Sequence, residues 1–346
     1  DTLVAEAWFR YFCQREFQAA LRLVEAARAL EPARADFMWL EGLIRRRLGD
    51  WESYFRLAEQ AVQLDPLHPR MLQDLAFWLL NFGHYDESYR YYVQLLQNTP
   101  APDPWLNLEV DLAYVYTSPD YGEWRAVMER YVALGPRPSE PRGQSSAHVT
   151  VRDYLLLTGA RDAFWGDIEE KDLSYDKFLM GDKYFEVAAL LFLGQEDEAR
   201  KQARVGLRSV IAVENREREL GIWGPQAEEN AASVRAYYGG LLGESEVVAD
   251  ALGHLESALQ TPDHALRRRI LLRYIEALLG SDPEQARRVV LEADSWLIPP
   301  HEFATRPHIW HPLLDDPQIR ARFNDKPEWV RFLREGWPAS RKFPFD

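Results

Sequence analysis

Residues 17–32 read FQAALRLVEAARALEP, residues 51–66 read WESYFRLAEQAVQLDP, and residues 85–100 read YDESYRYYVQLLQNTP. Laid under one another at a step of 34 residues, they align Phe17 with Trp51 and Tyr85, Ala27 with Ala61 and Leu95, and Pro32 with Pro66 and Pro100. Tyr11, Arg45 and Leu79 keep the same step. A fourth copy follows two residues late, with Tyr121, Tyr131 and Pro136 in the matching places. An aromatic start, a small or apolar centre and a closing proline at one fixed period mark a repeated helix–turn–helix unit.

Each unit reads as two helices. In the second unit, Phe37–Leu48 and Trp51–Leu64 carry apolar residues three and four apart, with Gly49 and Asp50 between them. Glycine there closes the first helix in a left-handed conformation without a Cβ clash. Asp65 and Pro66 end the second helix, because the residue before proline resists helical angles. The third unit repeats this with Leu72–Phe82, Gly83, Tyr85–Leu96 and Pro100. A hairpin of this length cannot repay its own ordering entropy from one apolar stripe, so the copies must stack.

These residues resemble the tetratricopeptide repeat family. Ala20, Ala27, Leu30 and Pro32 fit in the first unit, then Gly42, Gly49, Asp50, Ala61, Leu64, Asp65 and Pro66, then Leu75, Ala76, Gly83, Tyr85 and Pro100. Tyr54 and Ser88 depart where the family prefers alanine, and Trp8 where it prefers glycine. The resemblance implies an all-α, right-handed superhelical α-solenoid of about eight hairpins with a C-terminal helical cap. The expected divisions are 1–136 for four regular units, 137–148 for a Pro/Ser-rich loop, 149–296 for degenerate hairpins and 297–346 for the cap.

In the degenerate part, Gly159, Gly194, Gly243 and Gly280 read as successive hairpin corners. The step from Gly194 to Gly243 implies a lengthened helix over roughly Glu196–Glu219 and a turn at Gly221–Pro225. Pro283 suits a helix start, where its missing N–H is harmless. Short helices are expected at Pro317–Phe323 and Pro327–Glu335, with Trp310, Leu313, Leu314, Ile319, Phe323, Trp329 and Phe332 covering the end of the stack.

Composition narrows the partners. The chain has 346 residues, a net charge of −14 and a single cysteine, Cys13. The acidic balance disfavours nucleic acid and anionic lipid, both of which reward clustered cations, and favours a neutral to basic peptide. Nothing reaches the roughly 18 apolar residues needed to span a bilayer; the longest run lies around Val187–Leu193. One cysteine excludes an internal disulfide and mildly favours a reducing, cytoplasmic location, with a periplasmic one open if an anchor lies upstream. Asp1 in the place of an initiating Met leads us to expect a processed product or an excised part of a longer chain.

Chemistry finds little purchase. His301, His308, His311, Asp315 and Asp316 form the densest ligand cluster, but Pro307, Pro312 and Pro317 make a packed cap the simpler reading than a tetrahedral metal site. Gly239–Gly243 suggests a phosphate loop only superficially, since it ends a helix and the dipole there has the wrong sign. Ser145, Ser146 and His148 lack a nucleophile elbow. Cys13 beside Phe12 reads as a buried thiol, and the runs Arg45–Arg47 and Arg267–Arg269 scatter around their helices. No cofactor is expected. An α/α toroid that cleaves polysaccharide with two carboxylates is the enzymatic alternative, opposed by the strict 34-residue step.

The resemblance also implies a binding surface, because first helices of tetratricopeptide hairpins line the concave face. By position these are Glu6, Phe9 and Phe12, then Trp39, Leu43, Arg46 and Arg47, then Arg70, Gln73, Asp74, Phe77 and Asn81, then Glu109, Ala113 and Tyr116. Trp39, Arg46, Arg47, Arg70, Gln73, Asp74, Phe77, Asn81 and Tyr116 are the candidate peptide-binding residues, since Trp, Tyr and Arg dominate hot spots. The places of the family's carboxylate clamp read Ala5, Phe9, Leu43, Arg70 and Asp74, which argues against a chaperone-tail receptor. The expected function is a non-catalytic protein-interaction scaffold. The tail His-Pro-Leu-Leu-Asp-Asp-Pro-x-Ile-x-x-Arg-Phe resembles the C-terminal regions of bacterial signalling proteins, so a regulatory domain behind a winged-helix or cyclase module is the alternative.

Overall fold

A computed structural model describes residues 2–102, 104–117, 121–134, 175–221, 223–294, 297–298, 307–314 and 316–322. No strand occurs among the described residues, and no helix there is long and apolar enough to cross a membrane. The chain packs as two units. Unit 1 comprises Asp1–Ser118, Thr261–Arg268 and Ser295–His301; unit 2 comprises Pro119–Gln260, Arg269–Asp294 and Glu302–Asp346.

Unit 1 is built from α1 (Thr2–Phe9), which runs into a π-helical turn at Arg10–Gln14, then α2 (Phe17–Leu30), α3 (Ala35–Arg47), α4 (Trp51–Leu64), α5 (Pro69–Asn81), α6 (Tyr85–Gln97) and α7 (Pro104–Thr117). Helices α1 and α2, α3 and α4, and α5 and α6 pack as hairpins, and each hairpin meets the next through α2 against α3, α4 against α5 and α6 against α7. The aligned landmarks Phe17, Trp51 and Tyr85 are all buried, as are Ala27, Ala61 and Leu95. The 34-residue step is therefore a step between equivalent packing places.

The corners repeat in backbone conformation too. Gly49 has φ +90° and Gly83 has φ +80°, and at the same step ahead of them Arg15 has φ +55°. The first hairpin thus makes the same left-handed corner without glycine. At the second corner the Asp50 N–H donates to the Arg45 carbonyl at 2.9 Å, and at the third the His84 N–H donates to Leu79 at 2.9 Å. Asp50 then caps α4 by accepting from the Ser53 N–H at 3.1 Å, satisfying one of the orphan donors of a helix start.

The departures from the family pattern are absorbed locally. The Ser88 hydroxyl donates to the Ala76 carbonyl at 2.8 Å inside the third hairpin. Trp8 stacks on Phe12 with ring centroids 5.2 Å apart. Cys13 corrects the sequence reading: the π-helical turn carries it to the surface, where its thiol is exposed. A π turn holds more residues than an α turn, so side chains within it leave the register that α-helical spacing assigns them.

Unit 2 contains α8 (Tyr121–Leu134), α9 (Tyr175–Phe192), α10 (Glu196–Glu219), α11 (Pro225–Leu242), α12 (Ser245–Ala258), the greater part of α13 (His264–Ser281), α14 (Pro283–Glu292), α15 (Pro307–Leu314) and α16 (Pro317–Arg322). Packing runs α9 on α10, α10 on α11 and α11 on α12. Gly194 and Gly243 are left-handed corners, at φ +69° and +77°, and Gly221 is left-handed as well. The long helix spans the expected Glu196–Glu219.

Gly280 is not a corner. It lies in the last turn of α13, and the chain turns at Asp282, whose carboxylate accepts from the Gln285 N–H at 2.9 Å. Gly280 serves a helix crossing instead: a Cβ there would stand 2.6 Å from the Tyr237 carbonyl oxygen, and one on Gly240 would stand 2.2 Å from the Gly280 carbonyl oxygen. Gly239–Gly243, the superficial phosphate loop, thus ends α11 as a packing element.

The cap residues Ile309, Trp310, Leu313 and Ile319 are buried. Helix α15 packs chiefly on α9 and also on α14 and α16, so it covers more than the terminal hairpin that the sequence reading gave it. Asp316 caps α16, accepting from the Gln318 N–H at 2.7 Å, and pairs with Arg287 of α14. Gly159, the 137–148 loop, Trp329, Phe332, His301, Asp315 and the His308 and His311 side chains lie outside the described residues.

Candidate binding surface

The first helices of the three hairpins of unit 1 present rows at the 34-residue step: Thr2, Asp36 and Arg70; Ala5, Trp39 and Gln73; Phe9, Leu43 and Phe77. Exposure within the rows is uneven. Phe9 is 54% exposed and nearby Phe12 65%, and Arg70 and Gln73 are also exposed, whereas Trp39, Asp74 and Phe77 are half-buried and Leu43 is buried.

Aromatic rings connect the hairpins. Trp8 meets Trp39 edge-on at 6.1 Å, and Trp39 meets His68, the residue before α5, at 5.9 Å. With Phe12 stacked on Trp8, the series Phe12–Trp8–Trp39–His68 crosses all three hairpins. The Trp39 indole N–H is shielded from solvent and meets no acceptor among the described residues.

The arginine run of α3 is spent on structure. Arg45 pairs with Glu41 at 2.7 Å, Glu25 at 2.9 Å and Asp50 at 3.2 Å. Arg46 is buried, donates to Asp74 at 3.1 Å, and lies over the Trp78 ring at 4.8 Å and the Tyr54 ring at 5.2 Å. The Tyr54 hydroxyl donates to the other Asp74 oxygen at 2.7 Å. Burial first, and then the Asp74 carboxylate, push the Tyr54 hydroxyl well above its ordinary value, so it stays a donor. Burial is the largest single influence on Arg46 and opposes its charge, but Asp74 together with Tyr54 and Tyr11 outweighs it, and the guanidinium pKa is raised.

Three candidate residues therefore leave the surface. Arg46 is committed to Asp74. Asn81 is buried with its amide donating to the Phe77 carbonyl at 2.8 Å. Tyr116 is 1% exposed and stacks on Tyr85 at 5.7 Å. Arg47 is half-buried, over the Tyr11 ring at 5.9 Å and 3.8 Å from Asp263. Asp74 is a buttress between Arg46 and Tyr54 before it is a contact for anything else. Trp39, Arg70, Gln73 and Phe77 remain, joined by Phe9 and Phe12.

Unit 1 also holds a segment that the repeat pattern does not foretell. The Trp51 indole N–H donates to His264 Nδ1 at 3.2 Å, and Arg268 lies over the Trp78 ring at 5.0 Å and the Phe82 ring at 5.6 Å. Gly49 makes room as well as the corner, because a Cβ there would stand 2.7 Å from His264 Cδ2. No sequence signal joins residues this far apart in the chain.

No family model and no curated protein matches this sequence. Among solved structures the chain is similar to the P58(IPK) TPR domain, at 12% identity over 96% of this chain and 98% of that one, with a TM-score of 0.28. It is similar to yeast Tom70 at 11% identity over 97% and 68%, TM-score 0.32, and to a chain of the Naa15/Naa10 complex bound to HypK-THB at 12% over 96% and 66%, TM-score 0.30. The fold is an all-α array of tetratricopeptide-type hairpins. The 34-residue step, the buried landmarks and the corners at Arg15, Gly49 and Gly83 mark these hairpins.

Proposed function

We propose that the protein is a non-catalytic scaffold that binds a protein segment across the first helices of its opening hairpins. The observation that carries this reading is the aromatic series Phe12–Trp8–Trp39–His68, flanked by exposed Phe9, Arg70 and Gln73. Rigid aromatic anchors beside a cation and an amide are the composition of binding hot spots. The unsatisfied Trp39 indole supports it, since a buried donor without an acceptor costs about 1–3 kcal/mol until one is supplied. First helices of neighbouring hairpins stand roughly 8–10 Å apart, and an extended chain advances about 3.3 Å per residue. A segment crossing the rows would meet them with every third side chain. The net charge of −14 favours a neutral to basic segment.

A scaffold role also fits four of the buried carboxylates. Glu41, Glu214, Glu229 and Glu276 are each held by arginine, as structural charges are, and not in the paired, solvent-facing arrangement that glycoside hydrolysis needs.

The test is a display selection of random peptides on the intact protein, followed by calorimetry on Trp39→Ala, Arg70→Glu and Gln73→Ala, with Arg90→Glu as control. At least one row variant should weaken the selected peptides by about tenfold or more, while the control leaves them unchanged. Peptides indifferent to all three row changes, or a selection that yields none above background, overturn the reading.

A further inference from the structure

The outward face of α10 carries cations that are unpaired among the described residues, in a chain that is acidic as a whole. From Ala199 to Val213 this helix has no carboxylate but four cations, Arg200, Lys201, Arg204 and Arg208, against a net chain charge of −14. Arg200, Arg204 and Arg208 follow at four-residue steps, each about 6 Å of rise and about 40° of rotation, and all three are exposed. Ile211 falls within the same arc and Val205 beside it; they are 40% and 49% exposed. The opposite face, with Ala199, Ala203, Gly206, Leu207 and Val210, is buried.

Elsewhere in unit 2 several arginines are matched to acids, although exposed Arg288 is not among them. Arg218 pairs with Glu214 at 3.0 Å, Arg235 with Asp250 at 3.4 Å, Arg269 with Glu229 at 2.6 Å and Arg273 with Glu276 at 2.7 Å. Lys201 pairs with Glu198 at 3.1 Å. Among the described residues, Arg200, Arg204 and Arg208 have no such pair. Like charges four apart on a helix destabilise it. For Arg204 and Arg208 that cost goes unrelieved, because the residues three and four places away on either side include no acid. The acids Glu196, Asp197 and Glu198 are gathered in the first turn, where the helix dipole favours them.

We propose that this face of α10 docks an acidic, amphipathic helix of a partner protein. Its carboxylates, at four-residue steps, match the spacing of the three guanidiniums, which take carboxylates bidentately. Its apolar side chains cover Ile211 and Val205. Nucleic acid fits less well: a row about 12 Å long neutralises few phosphates, and the remaining charge of the chain repels a polyanion. The proposal does not rest on the surface of unit 1.

The test is fluorescence anisotropy of a labelled helical peptide with Glu at i, i+4 and i+8 and Leu on the adjoining face, titrated with the intact protein. The peptide should bind with an affinity that falls as salt rises. Arg200→Glu with Arg204→Glu and Arg208→Glu should weaken it at least about tenfold with an unchanged circular dichroism spectrum, and a Lys-for-Glu peptide should bind the reversed protein. If the reversed variant does not fold, the triple Arg→Gln variant takes its place, with loss expected in the same direction. Equal binding of the Glu peptide and its Gln isostere, indifference to the substitutions, or tighter binding of duplex DNA or phosphatidylserine vesicles overturns the proposal.

Discussion

Asp74→Ala isolates the interaction that ties the second hairpin to the third. Asp74 accepts from Arg46 at 3.1 Å and from Tyr54 at 2.7 Å, with Arg46 only 10% exposed and Asp74 23%. Removing the carboxylate leaves a buried guanidinium uncompensated and a buried phenol without its closest acceptor. Breaking a buried pair costs about 3–5 kcal/mol; because Asp74 keeps some solvent, the low end applies, about 3 kcal/mol. Arg46→Met with Asp74→Leu removes both charges and should return to within about 1–2 kcal/mol of the natural protein. Urea unfolding followed by far-UV circular dichroism gives each value. A loss under about 1 kcal/mol for Asp74→Ala alone, or a double variant no better than the single one, refutes the reasoning.

Other consequences are as definite. Arg15→Gly should stabilise the protein by up to about 1 kcal/mol, since an L-residue in the left-handed region costs roughly 1–2 kcal/mol and glycine's greater unfolded freedom returns only part of it; a loss of stability in the same unfolding assay contradicts the shared corner. Gly240→Ala should cost about 3 kcal/mol, the upper end of overpacking, because the added methyl meets backbone that has no easy relief, whereas Gly253→Ala, in open space, should be neutral or mildly stabilising. Asp316 gives a pH signature: the Arg287 hydrogen bond, outweighing burial, holds its carboxyl below the usual range. A group lowered on folding contributes above its unfolded pKa of about 3.9 and loses that contribution as pH falls through the folded value. The Tm difference between the natural protein and Asp316→Asn should therefore be present at pH 7 and shrink below about pH 4. Cys13 should react with a thiol reagent in the native protein at close to the rate of the unfolded chain; protection would restore the buried reading.

What the sequence makes legible is what depends on near neighbours. Gly49, Gly83, Gly194 and Gly243 announce corners because a left-handed residue after a helix favours glycine. Pro32, Pro66 and Pro100 announce helix ends because the bar on helical angles is local. Arg15 escapes this logic, as its left-handed φ is imposed by the packing of two helices and not by its own side chain. Gly280 misleads for the converse reason: a glycine required by a crossing helix looks, in one dimension, like a glycine required by a turn. Cys13 lies at the surface because it falls within a π turn, whose spacing departs from the α-helical register.

The candidate surface divides in the same way. The rows through Trp39, Gln73 and Arg70 follow from the period. The withdrawal of Arg46 and Tyr116 follows from Asp74 and Tyr85, partners fixed only when hairpins stack, whereas the Asn81 amide turns back on the Phe77 carbonyl of its own helix. The placing of His264 against Trp51 and Gly49 lies wholly in the tertiary structure.

The central claim is that a partner segment lies along the first helices of unit 1, and photo-crosslinking tests it directly. Benzoylphenylalanine replaces Gln73 on α5 in one protein and exposed Arg90 on α6 in another, and each is irradiated with a selected peptide bound. The account predicts a peptide adduct from position 73 and none from position 90. An adduct from position 90 alone would place the partner on the second helices and contradict it.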